Sequence, residues 1–282
     1  MSDFSRWRKM KTRDVPAVES LLRAMEKDCV GACGRFLARN PSKDDVWTLR
    51  GKSGELSALI LHSKSLLLPV LCGKKEIPRL RFLGGFLRTV KIHAVQGLRE
   101  EALVLENELE QIGRRTADII DYDLMCIDRP PDPKGCYSGP PHLILRVPQL
   151  TDLDAMAALQ AAYEQEEVVP HGSTFSPAAS RVNIANIIVN GRTLAAELGG
   201  RLVGKINIST VSFTRYQVGG VYVHPDFRGQ GIARRMATEF IRPLVAQGRG
   251  VTLFVKKSNL AARRLYAGLG FSVRGDYRIS YY

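Results

Sequence analysis

Thirteen residues near the middle of the chain, Arg129–Pro141, include five prolines and two glycines. Proline lacks the main-chain donor that a helix interior or a central strand requires, and its ring clashes with the preceding helical turn. A regular element that reaches such a segment ends there. The 282 residues therefore fall into two stretches, 1–128 and 142–282, each large enough to bury a core of its own. Between them, 129–141 reads as a linker.

Neither stretch has a membrane or secretory character. The longest apolar run, Leu66–Cys72, is interrupted by Pro69 and falls far short of the roughly 18 residues of a span. Met1–Arg6 contains no apolar h-region, so no secretory signal is expected and the chain reads as cytoplasmic. With 45% hydrophobic and 24% charged residues, the composition is that of a globular protein. The five cysteines (Cys29, Cys33, Cys72, Cys126, Cys136) all precede residue 141, and their irregular spacing suggests no disulfide framework. Cys29 and Cys33 could share a helix face. No second Cys/His pair stands at ligand spacing, so small buried apolar residues are expected rather than a metal site.

The net charge of +13 raises the question of a polyanionic partner. Residues 142–282 hold 17 basic and 9 acidic residues, and among the basic ones 14 are arginines. Arginine suits bidentate contacts to phosphate. No block of consecutive basic residues interleaved with aromatics occurs, so nucleic acid is not the expected partner.

In the second stretch the periodicity predicts a strand at 142–147, an Ala-rich helix from about Thr151–Asp154 to Glu167, and a helix at 176–189. Strands are expected at 193–198, 202–211 and 216–223. Then follow a helix over 229–246, with Ile232, Met236, Phe240 and Leu244 on one face, an apolar strand at 251–255 and a helix at 259–269. Two short strands, 271–273 and 277–281, are expected to close the chain. The first stretch repeats this order more faintly. Its strands are expected at 5–10, 46–49, 56–61, 66–71, 90–95 and 117–126, and its helices at 15–25, 31–38, 78–87 and 98–111.

The chemistry is concentrated in Gly219-Gly220-Val221-Tyr222-Val223-His224-Pro225-Asp226-Phe227-Arg228-Gly229-Gln230-Gly231-Ile232-Ala233. Here a strand runs through a tight turn, with Asp226 expected to cap it, into a helix starting near Gly229. Small residues at Gly229, Gly231 and Ala233 admit a ligand close to the backbone. The unpaired N–H groups of the helix's first turn then favour an anion. Such a site suits a phosphate.

Arg228-x-x-Gly231-x-Ala233, after a Val-x-Pro-x-x-Arg lead-in, resembles the R/Q-x-x-G-x-G/A signature with which the GNAT superfamily grips the pyrophosphate of CoA. A second GNAT-like motif follows in Ser258–Phe271, where Asn259, Ala262 and Tyr266 are spaced to share one helical face. The whole chain is similar to a two-domain GNAT subgroup with a poorly characterised, GNAT-like N-terminal domain. The resemblance implies an α/β (α+β) architecture of tandem GNAT-like folds, each a mixed, mostly antiparallel twisted sheet flanked by helices. It implies a degenerate domain over 1–128, the Pro/Gly linker 129–141 and an acetyltransferase domain over 142–282.

It further implies that acetyl-CoA, as acyl donor, lies along Val221, Tyr222, Val223, Arg228, Gly229, Gln230, Gly231, Ile232, Ala233 and Arg234, with Asn259 and Ala262 beside it. The main chain of Val221 and Val223 would hold pantetheine and the acetyl carbonyl, and Arg263 and Arg264 are further phosphate candidates. Tyr266 stands where the family has its general acid; an aromatic packing residue is the alternative. For the acceptor, an unidentified amine, Glu166 and Glu167 at the end of the domain's first helix are the candidate base and recognition pair, with His171 nearby. Two solvated carboxylates at a helix end are the alternative. In the first stretch, aligning Arg81-x-x-Gly84 puts Phe86 where a small residue is needed, so a copy without cofactor is expected there. The expected activity is direct N-acetyl transfer with neither metal nor covalent intermediate; a non-catalytic acyl-CoA-sensing or partner-binding module is the competing reading.

Overall fold

The computed structural model describes residues 7–51, 54–72, 83–170 and 172–282. The first half of the helix expected at 78–87, as well as Arg81 and His171, lies outside them. The chain divides into two units. Unit 1 is formed by 1–124 together with 254–257 and 273–282, and unit 2 by 125–253 and 258–272.

Unit 1 contains strands β1 (Trp7–Lys9), β2 (Asp45–Arg50), β3 (Leu56–Ser63), β4 (Leu66–Val70), β5 (Ala94–Leu98) and the start of β6 (Asp118–Ile127). Its helices are α1 (Val15–Ala24), α2 (Val30–Leu37), α3 (Gly84–Thr89) and α4 (Arg99–Gln111). Strands β1 to β4 pair antiparallel in sequence, and β4 then pairs parallel with β5. On the far side of β5 lies a strand from the end of the chain. β12 (Ser272–Tyr281) runs antiparallel to it, Tyr277 opposite Leu98 through Tyr281 opposite Ala94. Ala58, Ile60, Leu67, Val95, Ala102 and Leu105 form the centre of the unit's core.

Unit 2 repeats that plan with β7 (Ile144–Arg146), α5 (Leu153–Glu167), α6 (Pro177–Val189), β8 (Thr193–Leu198), β9 (Arg201–Val211), β10 (Arg215–Val223), α7 (Ile232–Ala246), β11 (Gly250–Lys256) and α8 (Leu260–Gly268). β7 to β10 are antiparallel and β10 pairs parallel with β11. α5 and α6 place Met156, Leu159, Ile184 and Ile188 on Ala195, Leu202 and Tyr222 of the sheet. α7 buries Ile232, Met236, Ala237, Ile241 and Val245, a 3–4 repeat, against β8, β9 and β10. β9 is consequently buried without interruption over Leu202–Ile208. A strand covered on both faces has no solvent side to alternate with. Both units are thus mixed, mostly antiparallel sheets flanked by helices.

Several local expectations are corrected. Residues 272–281 form one strand, β12, rather than two short ones; Gly275 within it has no positive φ, so nothing breaks the extended run. The fifth strand runs over Ala94–Leu98, later than expected. Asp152 does not cap α5, because its carboxylate takes the Gln149 N–H and a bidentate pair from Arg146. The proline segment carries a short 3₁₀ turn, Pro133–Tyr137, and packs on α7, where Arg242 Nη1 donates to the Pro131 carbonyl at 2.6 Å. No helix among the described residues is long and apolar enough to cross a membrane.

The last strand is held in unit 1 by charge as well as by its ladder. Arg278 donates from Nε and Nη2 to the two carboxylate oxygens of Asp121, at 2.7 and 2.9 Å, and reaches Glu106 at 3.4 Å. Hydrogen bonding from Arg278 holds the Asp121 carboxyl below its usual range against the opposing effect of burial. We expect Arg278→Met to cost about 1–3 kcal/mol at pH 7, moderated by the part-exposed Asp121. Because the folded carboxyl has the lower pKa, the wild type's advantage is complete above the unfolded value of about 3.9 and lost as pH falls through the folded one. Urea unfolding at pH 7 and pH 3 measures both.

Candidate active site

The site begins with two parallel strands that part. β10 and β11 pair over Arg215–Gln217, opposite Gly250–Thr252. On its other edge β10 stays with β9, but the register slips: Gly219 faces Asn207, whereas Tyr222 faces Lys205. β10 thus carries one extra residue, a bulge, and a bulged strand bends. Gly220 sits in this bulge at φ +60°, and a Cβ there would lie 1.9 Å from Asn207 Oδ1. Only glycine fits.

Past the bulge, direction follows from alternation. The His224 N–H bonds back to the Val203 carbonyl at 2.8 Å, so its neighbour Val223 turns N–H and C=O the other way, into the gap. The Val223 carbonyl is taken there by Arg228 Nε at 2.9 Å. The Val223 N–H is left facing a cleft of about 480 Å³.

The floor of the cleft is the start of α7. Pro225–Phe227 makes a 3₁₀ turn, followed by Gly229 at φ +78° and Gly231 at φ +82°. Gly231 is the helix N-cap and no side chain caps it; the first turn has no acidic residue. The orphan N–H groups and the helix dipole therefore present positive potential to the cleft. The two glycines differ in role. A Cβ at Gly229 would meet nothing within 4 Å, whereas at Gly231 it would lie 3.0 Å from the Gly139 nitrogen. Gly231 is thus required by packing against the proline segment as well as by its backbone angle.

Of the residues singled out from sequence, Glu166, Glu167, Val221, Tyr222, Val223, Arg228, Gly229, Gly231, Ile232, Ala233, Arg234, Asn259, Ala262, Arg264 and Tyr266 line this one cleft, and Arg263 does not. Gln230 is exposed and does not line it. Phe227, Ala261 and Leu265 do, and were not singled out; apolar lining residues at helical spacing carry no signal that separates them from core. The expected cap at Asp226 is corrected: His224 Nδ1 accepts from the Asp226 N–H at 3.4 Å. The three-residue helix face is corrected as well. Asn259 precedes α8 as its N-cap, its Oδ1 accepting from the Ala262 N–H at 3.0 Å.

Both ends of Asn259 are engaged, since Nδ2 donates to Glu167 Oε1 at 2.9 Å. Glu166 is paired too, accepting from Arg228 Nη2 at 2.7 Å. That hydrogen bond raises the Arg228 pKa against the effect of burial. Tyr266 is 7% exposed, edge-on to Phe271 at 5.7 Å. Burial first, then the charges of Tyr163 and Glu167, push its phenol well above the ordinary value, so it is a neutral proton donor throughout the neutral range. No group of three or more His, Cys, Asp or Glu side chains able to hold a metal is present among the described residues.

Comparison with known proteins points the same way. Residues 156–271 match the family described as Acetyltransferase (GNAT) family. N-alpha-acetyltransferase RimI of Mycobacterium tuberculosis is 38% identical over 92 residues, which are 32% of this chain and 56% of that protein. The match therefore spans little more than half of the relative. The GCN5-related N-acetyltransferase from Sphaerobacter thermophilus aligns over 99% of this chain and 96% of its own, with 20% identity and a TM-score of 0.63. A tandem GNAT protein from the clavulanic acid biosynthesis pathway aligns over 98% of each chain, with 15% identity and a TM-score of 0.58. At these identities the two structures show the fold.

The Asn259–Glu167 contact yields a test of how the site is held. Asn259→Ala should lose the cap and destabilise by about 1 kcal/mol. Asn259→Asp keeps the capping oxygen but sets a carboxylate against Glu167. Like charges raise one of the two pKa values, so this variant should be weaker than wild type at pH 8 and recover toward pH 5. Thermal unfolding across that range reads the difference.

Proposed function

We propose that the chain, whose residues 156–271 match the GNAT acetyltransferase family, is an N-acetyltransferase carrying the acetyl group of acetyl-CoA directly to an amine. The observation that supports this most is the single cleft uniting an uncapped, glycine-preceded helix N-terminus, a main-chain N–H turned into a strand gap and a protonated phenol. The cradle fits a pyrophosphate. The gap beside Val221–Val223 fits an extended pantetheine that takes the place of a strand.

In this reading the first turn of α7 and Arg228 hold the phosphates. The Val223 N–H donates to the acetyl carbonyl oxygen, where charge grows as the amine lone pair attacks the carbonyl carbon. When the tetrahedral intermediate collapses, the C–S bond breaks and the sulfur takes the proton of Tyr266. The surplus proton on the new amide nitrogen leaves to water, with Glu166 and Glu167 at hand, and the Tyr266 phenolate is reprotonated in turn. The products are an amide and free CoA thiol.

The RimI relative is named for N-alpha-acetyl transfer, and we extend that to the acceptor: an α-amine of a polypeptide. An α-amino group, with pKa about 7.7–8.0, is neutral in roughly one molecule in ten at pH 7, against roughly one in a few thousand for a lysine amine. The former asks little of a base. That suits a cleft whose carboxylates are already engaged by Arg228 and Asn259. Thiol release from acetyl-CoA, with peptides of free N-terminus, lysine-only peptides and small amines as acceptors, tests it. Binding of acetyl-CoA without release to any amine would instead favour a sensing module.

Two variants separate cradle from chemistry. Ala233→Glu places a carboxylate in the first turn of α7, where it favours the helix but repels phosphate. Calorimetry should show one acetyl-CoA per wild-type chain and at least a 30-fold loss in this variant, with unfolding temperature kept. Unaltered affinity would remove the cradle, and residual full-strength binding would place a site elsewhere. Tyr266→Phe keeps the ring and removes the proton; kcat should fall by about 10²–10⁴, with acetyl-CoA affinity within a few-fold. A near-wild-type kcat, with chemistry rate-limiting, would make Tyr266 a packing residue.

A further inference from the structure

The bulge that opens the cleft is braced from behind by a residue that does not line it. Lys205 of β9 has no solvent exposure. Its ammonium donates to the Gly220 carbonyl at 2.9 Å and to Asn207 Oδ1 at 3.2 Å, and it lies 4.7 Å from the centre of the Tyr163 ring. An ammonium has three N–H donors, and here there are three acceptors: a carbonyl, an amide oxygen and a π face.

We propose that Lys205 is a positioning residue for acyl transfer, its ammonium fixing and polarising the Gly220–Val221 peptide so that the Val221 N–H is a strong donor held toward the strand gap. The proposal rests on the acetyltransferase reading for its functional part. The peptide is trans, as is every peptide bond among the described residues, so its N–H points opposite to its C=O. With the carbonyl drawn to the Lys205 ammonium, the Val221 N–H is turned away from that ammonium. Val221 lines the cleft. Withdrawal of electron density at a carbonyl strengthens the N–H of the same peptide unit. Arg228 holds the Val223 carbonyl, so the lining segment is pinned at both ends by cations.

The brace depends on charge. Burial lowers the Lys205 pKa to about 7, with Glu164 opposing the shift. The groups around it are Tyr163 and Glu164 from α5 and, from β10, its cross-strand partner Tyr222; β8 presents Ala195 opposite it, and α6 contributes Asn183, which holds Glu164 at 3.2 Å together with Gln160 at 2.7 Å. Once neutral, the amine has two N–H donors and a lone pair for the same three acceptors. A lone pair against the Tyr163 ring is unfavourable, so one contact must be given up.

The test uses the full ¹⁵N-labelled chain without ligand, titrated from pH 5.5 to 9. The Val221 amide should shift with a midpoint near 7, and this titration should be absent in Lys205→Met. In acetyl-CoA turnover, Lys205→Met should lose about 10–100-fold in kcat with acetyl-CoA affinity within about 3-fold, and Lys205→Gln, which retains a neutral donor, should fall between. A Val221 amide indifferent to pH, or a Lys205→Met variant with wild-type kcat, overturns the proposal. Should the methionine variant fail to fold, the wild-type titration and the glutamine variant decide it. Failure of the wild type to bind acetyl-CoA would overturn the acetyltransferase reading, while the amide titration still judges the brace.

Discussion

β10 and β11 share only the pairing of Arg215–Gln217 with Gly250–Thr252, and the main-chain groups beyond it must find other partners. An unpaired strand edge is costly to bury and hazardous to expose. Here part of the edge is satisfied internally, by Arg228 on the Val223 carbonyl, and part faces the cleft. The bend that separates the strands comes from one extra residue in β10, possible only because Gly220 accepts φ +60° against Asn207 and Lys205. The cleft, the outward N–H groups and the approach to the helix N-terminus all follow from that bend.

The bend is braced by a cation in the interior. For Lys205 the folded pKa of about 7 lies below the unfolded value of about 10.4. Between these the unfolded chain binds more protons, so stability rises with pH across that window. Below about pH 7 the fold carries the full cost of the buried charge, yet only there does the ammonium serve all three acceptors. Stability and the geometry of the bulge therefore respond to pH in opposite directions. A residue selected for stability alone at this position would be apolar, like its neighbours Val203 and Ile206.

Much of this was legible in the residues. Arg228, Gly229, Gly231 and Ala233 were readable because turn angle, helix start and anion binding all demand small residues at the same places, and Asn259 and Tyr266 stood at the spacing that carries them to the same cleft. Lys205 was not, although a lysine within Leu202–Ile208 breaks an otherwise nearly apolar run; a strand buried on both faces gives no alternation from which to tell which way it points. The assignment of 273–282 to unit 1 had no local signature either, since strand partners are chosen by long-range packing. Nor could spacing distinguish Asn259 as a helical residue from Asn259 as a cap, because position i and the N-cap project to nearly the same side.

Unit 1 has the same parallel pair in the corresponding place, Leu66–Leu67 of β4 beside Ala94–Val95 of β5, and deals with the consequences differently. Pro69 in β4 has no N–H to offer. Just past the strand, the Leu71 N–H donates to Glu101 Oε1 at 2.8 Å, a carboxylate 3% exposed on α4. Where the Val223 N–H of unit 2 faces a cleft, this N–H of unit 1 is taken by an anion of the protein itself. Phe86, in the short helix that follows, packs against Trp47 at 5.2 Å and His62 at 5.8 Å. Among the described residues, unit 1 thus meets this part of its strand edge with groups of its own. A unit that satisfies its own strand edge gains a more stable sheet and offers less to a ligand, and this is the physical sense in which the same plan, built twice, can leave a main-chain donor facing a cleft in one copy and pair it in the other.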